Sequence, residues 1–372
     1  MEIVFWLSVF IILYPHLLYP ALMYLLARNS RNRKKIIGYG ALGPVAVVCS
    51  VYNEEKVIAR KIENFYCLDQ PNLELYLGLD GCSDNTLSKI RQALRDNRIR
   101  VFEYPRGGKV NVINSIMSVV WQPFVVMTDA NSMFKPDAVT RLMACMNDGV
   151  GVVCGRLMLV EEQGKSGEGI YWHLETLIKK AESVFGSVIG ANGAIYLFRR
   201  NLYEPLPPNT INDDFSISMR IAERNYNVVY AEDAVAEECH VTTNSEEFTR
   251  HVRDSAGHFR ALKYHWRLLN PFRGKMFFFY VSHRVLRWLV PFFLLSAIIS
   301  NILLSFHNPM YRALLALQCA GYGLILITHL LRLRWKPLYI LYYCMLVNLA
   351  IFVGFIKNLF GLQKASWEST RR

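Results

Sequence analysis

From Ile3 to Ala27 the chain carries no Asp, Glu, Lys or Arg, a run that matches the ~20 residues an α-helix needs to cross a bilayer. Arg28, Arg31, Arg33, Lys34 and Lys35 follow it. A secretory signal peptide carries its basic residues first and ends at a small-residue cleavage site. Residues 1–27 are therefore read as a retained transmembrane helix, with the chain from residue 28 on the cytoplasmic side. A second apolar block begins near Met276. Spans are predicted there at Leu289 to Leu304, Ala313 to Leu331 and Leu338 to Phe360, about three crossings over 289–362. The basic loop Arg332-Leu333-Arg334-Trp335-Lys336 is expected inside. Three crossings leave the tail 363–372 outside, although it ends Arg371-Arg372. Met276 to Trp288 mixes many aromatics with Arg284 and Arg287, next to Lys275. It is read as an amphipathic helix in the membrane interface over 271–288; the alternative is one long tilted span kinked at Pro291.

Between these blocks, over residues 28–270, strand-like apolar runs alternate with helical spacing. Val45 to Ser50, Leu73 to Leu79, Arg100 to Tyr104 and Phe124 to Met127 read as strands. Glu54 to Tyr66, Leu87 to Leu94 and Lys109 to Val120 read as helices. This βαβα order predicts an α/β domain with a mostly parallel sheet and helices on both faces. Further on, Gly149 to Val160 and Ala194 to Phe198 read as strands, and Ile170 to Ser183 and Asp214 to Glu223 as helices. A long amphipathic helix, Glu246 to Leu269, leads to the membrane block. In parallel sheets ligands bind beyond the carboxyl ends of the strands. Tyr52-Asn53-Glu54 follow the first strand, Asp80 the second and Asp129 the fourth.

Composition supports this picture. The 372 residues are 52% hydrophobic, with a formal net charge of +12. The basic residues are not interleaved with any nucleic-acid module, so the charge is assigned to anionic lipid head groups and a diphosphate substrate. None of the eight cysteines forms a Cys-x-x-Cys pair, which points to reduced thiols rather than zinc.

The polar segments at the strand ends carry the candidate chemistry. Asp129 and Asn131 form an Asp-x-Asn triplet whose hard oxygens suit Mg²⁺ or Mn²⁺; the competing reading is a turn that caps the next helix. Asp80 ends an apolar strand in Asp80-Gly81-Cys82-Ser83-Asp84-Asn85-Thr86, where contact with a nucleoside would explain it. Ser83, Asp84 or Asn85 could N-cap the helix that follows, which is the competing reading for Asp84. Lys109 follows two glycines and opens a helix, a place that favours phosphate. Asp213 and Asp214 are adjacent carboxylates at a helix start. A like-charged neighbour raises a carboxyl toward the range of a general base. Gly190-Ala191-Asn192-Gly193, with Arg199-Arg200, could floor an acceptor sugar or form a structural hairpin. Arg250 and Arg253 share a helix face and could clamp diphosphate oxygens or form a solvated face.

Together these segments resemble the membrane-bound inverting glycosyltransferases of family 2, with the GT-A fold, in the branch of hyaluronan, chitin-oligosaccharide, cellulose and poly-N-acetylglucosamine synthases. The resemblance covers roughly residues 44 to 290 and the flanking spans. It implies a nucleotide-sugar donor, usually a UDP-sugar, a divalent metal and inversion at the anomeric carbon. It implies that Tyr52, Glu54 and Asp80 hold the nucleoside, Lys109 meets the diphosphate, and Asp129 reaches the metal with Asn131. It places Asn192 and Gly193 near the acceptor. Asn212-Asp213-Asp214 stands where the family often has Thr-Glu-Asp, and Arg220 fits the family spacing, which makes Asp214 the general base. Two departures matter. Asn131 stands where Asp is usual. The family's Gln-x-x-Arg-Trp is here Arg250-His251-Val252-Arg253-Asp254, which keeps the arginine but lacks the Trp that stacks on the acceptor.

The expectation is therefore an integral protein of the bacterial inner membrane with a cytoplasmic catalytic domain. Its partners would be a nucleotide-sugar, a glycan or polyprenyl-linked acceptor and membrane lipids, and not nucleic acid. A polymer synthase and a single-sugar transferase both fit. A non-catalytic scaffold of an envelope glycan assembly would predict lost base or metal residues, and a nucleotidyltransferase would leave Asp214 with Arg220 unexplained.

Overall fold

The alternation of apolar runs becomes an eight-stranded sheet in the computed structural model, which describes residues 1–29, 43–161, 167–240, 244–331, 333 and 335–363. The strands are β1 (Val45–Val51), β2 (Leu73–Asp80), β3 (Ile99–Tyr104), β4 (Phe124–Thr128), β5 (Met133–Phe134), β6 (Val150–Glu161), β7 (Tyr196–Arg199) and β8 (Asn227–His240). Their order is β3-β2-β1-β4-β7-β6-β8-β5. The first four are parallel. β7 runs antiparallel between β4 and β6, while β6 and β8 are parallel.

All seven residues of β1 are buried. Ala46 and Val48 pack on one face with the Lys109–Val119 helix, and Val45, Val47 and Cys49 pack on the other with the Ile58–Tyr66 helix. Burial on both faces is why this strand reads as a continuous apolar run. β8 carries no such signal. Its Glu232 and Glu237 meet Arg156, Lys180 and Lys135, so charge interrupts the period that would have marked it as a strand. The long amphipathic helix runs Asn244–Tyr264 and gives way to 3₁₀ turns at Trp266–Leu269 and Pro271–Arg273.

Among the described residues four helices are long and apolar enough to cross a membrane: Glu2–Arg28, Lys275–Ser305, Pro309–Leu330 and Pro337–Leu359. The basic residues at 31–35, Arg332, Arg334 and the tail from 364 lie outside the described residues. From Lys275 on, the segment expected in the interface, 271–288, is part of one helical run to Ser305, with Pro291 inside it and a π-helical turn at Tyr280–Val285. Its cations face protein. Arg284 and Arg287 reach Glu175 at 2.6 and 3.2 Å, and His283 sits between Glu175 and Glu182. Arg287 also donates to the Pro15 carbonyl, within a second π-helical turn at Tyr14–Leu18 in the first apolar helix. The aromatic-basic pattern thus reflects buried carboxylate partners on the Gly167–Val184 helix.

Candidate active site

Four of the expected residues meet at the carboxyl end of β4. Lys109 Nζ lies 2.8 Å from Asp129 Oδ1 and 3.2 Å from Asp213 Oδ1. Burial lowers the Lys109 ammonium, but Asp129, Asp213 and Asp214 more than reverse this and hold it well above the ordinary lysine range. Burial pushes the Asp214 carboxyl from its ordinary 3.8 up to about 7; Asp213 beside it adds, while Lys109 and the Phe215 N–H pull back. The Phe215 N–H donates to Asp214 Oδ1 at 2.7 Å. One of two adjacent carboxyls is thus held near neutral pH, which suits it to take a proton.

Gly193 completes this centre. A Cβ there would come within 3.0 Å of Asp129 Oδ2 and 3.8 Å of Asp214 Oδ2, so a side chain would intrude on the space the two carboxylates share. Asn192 is buried, donates to the Gly155 carbonyl at 2.8 Å and accepts from the Ile195 N–H. Its side chain holds the turn that presents Gly193. Arg199 and Arg200 bind backbone carbonyls at residues 147, 150 and 120, and so brace the hairpin.

A second group gathers at the ends of β1, β2 and β3. Asp80 is fully buried, and its carboxylate accepts from the N–H groups of Gly107 and Gly108 at 2.7 and 3.0 Å and from Arg106. The Arg106 guanidinium lies 3.4 Å above the centre of the Tyr52 ring. Asp80 therefore fixes the turn that ends in Lys109 and aims Arg106 over Tyr52. Asp84 accepts from Thr86 N–H and Oγ1 and from the Glu55 N–H, and Thr86 Oγ1 accepts from the Glu54 N–H. The N-cap of the Thr86–Ala93 helix is Asn85 rather than Asp84; Asp84 instead ties the two loops together. Glu54 is buried beside them.

The sequence reading missed two residues. Arg106 precedes the glycine pair, and the signal was the buried Asp80, which needed a cation. Lys61 is 2% exposed, donates to Thr128 Oγ1 at 2.8 Å and to the Ser132 carbonyl, and lies 4.4 Å from the centre of the Phe134 ring. Burial pulls its ammonium down to about 8. It braces the turn that carries Asp129 and Asn131, and a lysine on an apolar helix face was the only sign.

The Asn244–Tyr264 helix docks on the loop that leads into Asp213 and Asp214. Asn212 Nδ2 donates to the Asp254 carbonyl at 3.3 Å. At Gly257 an added Cβ would lie 1.9 Å from Asn212 Oδ1 and 2.9 Å from Ile211 Cβ. Gly257→Ala should therefore cost about 1–3 kcal/mol, the usual penalty of overpacking, and lower turnover; thermal unfolding and initial rates check both. Arg253 pairs with Asp254 at 3.1 Å. Burial raises the Asp254 carboxyl, but Arg253, Arg250 and His258 hold it below the ordinary range. Arg250 and Arg253 thus adjoin the loop before Asp213 through Asp254. Arg220 donates to the Pro205 carbonyl at 2.9 Å.

The donor set fits a hard divalent cation. Asp129 is more than a third exposed, with Oδ1 on Lys109 and Oδ2 on the Gly193 side, and Asn131 follows in the same turn. Among the described residues no three His, Cys, Asp or Glu side chains gather as a metal cage.

Residues 43–257 match the family model described as glycosyltransferase-like family 2. The chain belongs to this family. It is 24% identical over 212 residues to poly-β-1,6-N-acetyl-D-glucosamine synthase of Staphylococcus aureus strain COL, covering 55% of this chain and 52% of that protein. The synthase of the same name from Staphylococcus epidermidis is 21% identical over 195 residues, 50% of this chain and 47% of that one. The chain spans about half the length of the curated relatives it matches. Among solved structures, a mannosyltransferase from Pyrobaculum calidifontis in complex with GDP-Man and Mn²⁺ superimposes with a TM-score of 0.72 at 21% identity. That match covers 96% of this chain and 99% of the other, so the likeness of fold takes in the apolar helices as well as the GT-A sheet.

Proposed function

We propose that this protein is a membrane-bound inverting glycosyltransferase that moves a sugar from a nucleotide-sugar to a glycan hydroxyl, with Asp214 as general base. The observation that carries this reading is the Lys109–Asp129–Asp213–Asp214 centre, in which the Asp214 carboxyl is pushed up to about 7. The acceptor oxygen forms a bond to the anomeric carbon as that carbon's bond to the diphosphate oxygen breaks. The acceptor proton goes to Asp214, and the bonding electron pair leaves with the diphosphate. Attack from the face opposite the leaving group inverts the carbon. Lys109 meets the diphosphate with a fixed positive charge. Tyr52 and Arg106 form a stacking surface for the nucleoside, and Asp80 and Glu54 support it. Gly193 leaves room for the acceptor sugar beside Asp214. A divalent ion held by Asp129 and Asn131 would neutralise charge on the leaving diphosphate.

The four apolar helices support residence in a membrane, and we place the transfer domain on the cytoplasmic side of the bacterial inner membrane. The synthase relatives favour a cell-envelope polysaccharide as product. A second reading, single-sugar transfer onto a lipid-linked acceptor, is favoured by Asp254. Where the polymer synthases carry an acceptor-stacking Trp, its carboxylate is engaged with Arg253.

The test is to incubate the purified protein with a panel of UDP- and GDP-sugars, Mn²⁺ or Mg²⁺ and glycan or polyprenyl-linked acceptors, and to measure nucleoside diphosphate release. One donor should give acceptor-dependent release; silence across the panel from folded protein would sink the proposal. Asp129→Ala should weaken Mn²⁺-dependent nucleotide binding at least about tenfold, since the loss of mere outer-shell partners costs 10–100-fold. An unchanged metal requirement in titration calorimetry would remove Asp129 from the metal.

A further inference from the structure

The buried polar cluster at the junction with the apolar helices reaches the floor of the site. Glu182 is fully buried. Its Oε1 accepts from Tyr19 Oη, on the first apolar helix, at 2.7 Å and faces His283 Nδ1 at 2.7 Å. Its Oε2 accepts from the Ile189 N–H at 3.1 Å. The Ile189 carbonyl in turn accepts from Arg284 Nη2 and Nε at 3.0 and 3.3 Å. Both backbone groups of one residue are therefore held by side chains tied to the apolar helices. His283 links the halves of the cluster, with its other nitrogen 3.0 Å from Glu175 Oε2. A neutral imidazole has only one donor, whereas an imidazolium donates to both carboxylates.

Ile189 opens the segment that ends at Gly193, against Asp129 and Asp214. Gly190 has φ +86°, and a Cβ there would come within 2.7 Å of Phe215, the residue after Asp214. Ala191 N–H donates to Ser218 Oγ at 3.1 Å, on the helix that Asp213 starts. A shift at Ile189 has no slack to absorb it before Gly193.

We propose that Glu182 and Arg284 are positioning residues through which the packed apolar helices set the Gly190–Gly193 floor against Asp129 and Asp214, so that turnover requires those helices to be docked. This rests on the transfer reading above. In Glu182→Gln the side chain has one carbonyl acceptor and one amide NH₂ donor, so it faces a donor with its own donor on one side. Charge-assisted bonds of this kind are worth at least about tenfold. In the full-length protein in lipid nanodiscs, hydrogen exchange at the Ile189 and Ala191 amides should accelerate at least about tenfold, and kcat at saturating donor should fall by a similar factor. Binding of UDP or GDP with Mn²⁺ should be unchanged, because Tyr52, Arg106 and Lys109 stand on other elements. Arg284→Lys, which cannot fork between the Ile189 carbonyl and Glu175, should behave alike and serves if Glu182→Gln does not fold. Lys180→Gln, on the same helix but facing Glu232, should change none of these. Unchanged exchange at Ile189, faster exchange with full kcat, or nucleotide binding and thermal stability lost together with kcat would each overturn the clamp. Absence of transfer by the wild type removes the transfer reading, whereas the exchange experiment judges the clamp's hold on Ile189 independently.

Discussion

Asp214→Asn should lower kcat by roughly 10²–10⁴-fold, the range for removing a positioned acid or base, and leave nucleotide binding nearly intact. The wild-type kcat should fall about tenfold per pH unit below about 7 as the carboxylate takes up a proton. The same substitution should raise stability at pH 8. Asp214 ionises near its ordinary 3.8 in the unfolded chain but only near 7 in the fold. Its charged form is therefore a burden on the folded state, which grows as pH rises from about 4 and is fully present above about 7. Asn carries no charge, so the gain should be up to about 4 kcal/mol at pH 8 and should vanish by about pH 3, where the carboxyl is protonated in the fold and largely so in the unfolded chain. Denaturant titrations at the two pH values check this. An active Asp214→Asn variant would remove Asp214 as the base. An inactive variant with no pH-dependent gain in stability would show that the residue is not held in a buried, like-charged setting.

The centre was legible because its parts end apolar runs. Asp129 closes β4, and Asp213 and Asp214 open a helix, so strand-end and helix-start rules place them without long-range information. Asp80 was legible in position but not in partner. The apolar run of β2 showed a buried carboxylate, while the Arg106 and Gly107–Gly108 contacts depend on how β3 returns beside β2. β8 was illegible because its acidic residues pair with cations on neighbouring elements and break the period of two. The Met276–Trp288 stretch shows a different limit. Cations among aromatics read the same whether they meet lipid phosphate or buried carboxylates. The partners of His283, Arg284 and Arg287, Glu175 and Glu182, lie about a hundred residues earlier in the chain. Nothing local distinguishes the two, so the residues that couple the apolar helices to the site floor emerge only from the fold.

Lys109→Met should damage stability and activity together, in a pH-dependent way that identifies the cause. The ammonium stands 2.8 and 3.2 Å from two carboxylates and is one-fifth exposed. Removing one partner of a fully buried pair costs 3–5 kcal/mol, so the lower end, about 3 kcal/mol, is expected here. The wild-type contribution should hold throughout the neutral range, since the Lys109 pKa is raised and its charge is lost only above the ordinary lysine value. Lys109 also pulls the Asp214 carboxyl down. Without it, Asp214 should ionise above 7 in the fold, which moves the acid limb of kcat upward. The Asp214 part of the stability deficit then appears only above about pH 7, where the wild-type residue is ionised and the variant's is not yet. Nucleotide affinity should fall as well, because the fixed charge facing the diphosphate is gone. A limb that stays near 7 in Lys109→Met would separate Lys109 from the base. A limb that moves down would reverse the sign on which the whole electrostatic reading depends, because loss of a nearby positive charge can only make a carboxyl harder to ionise.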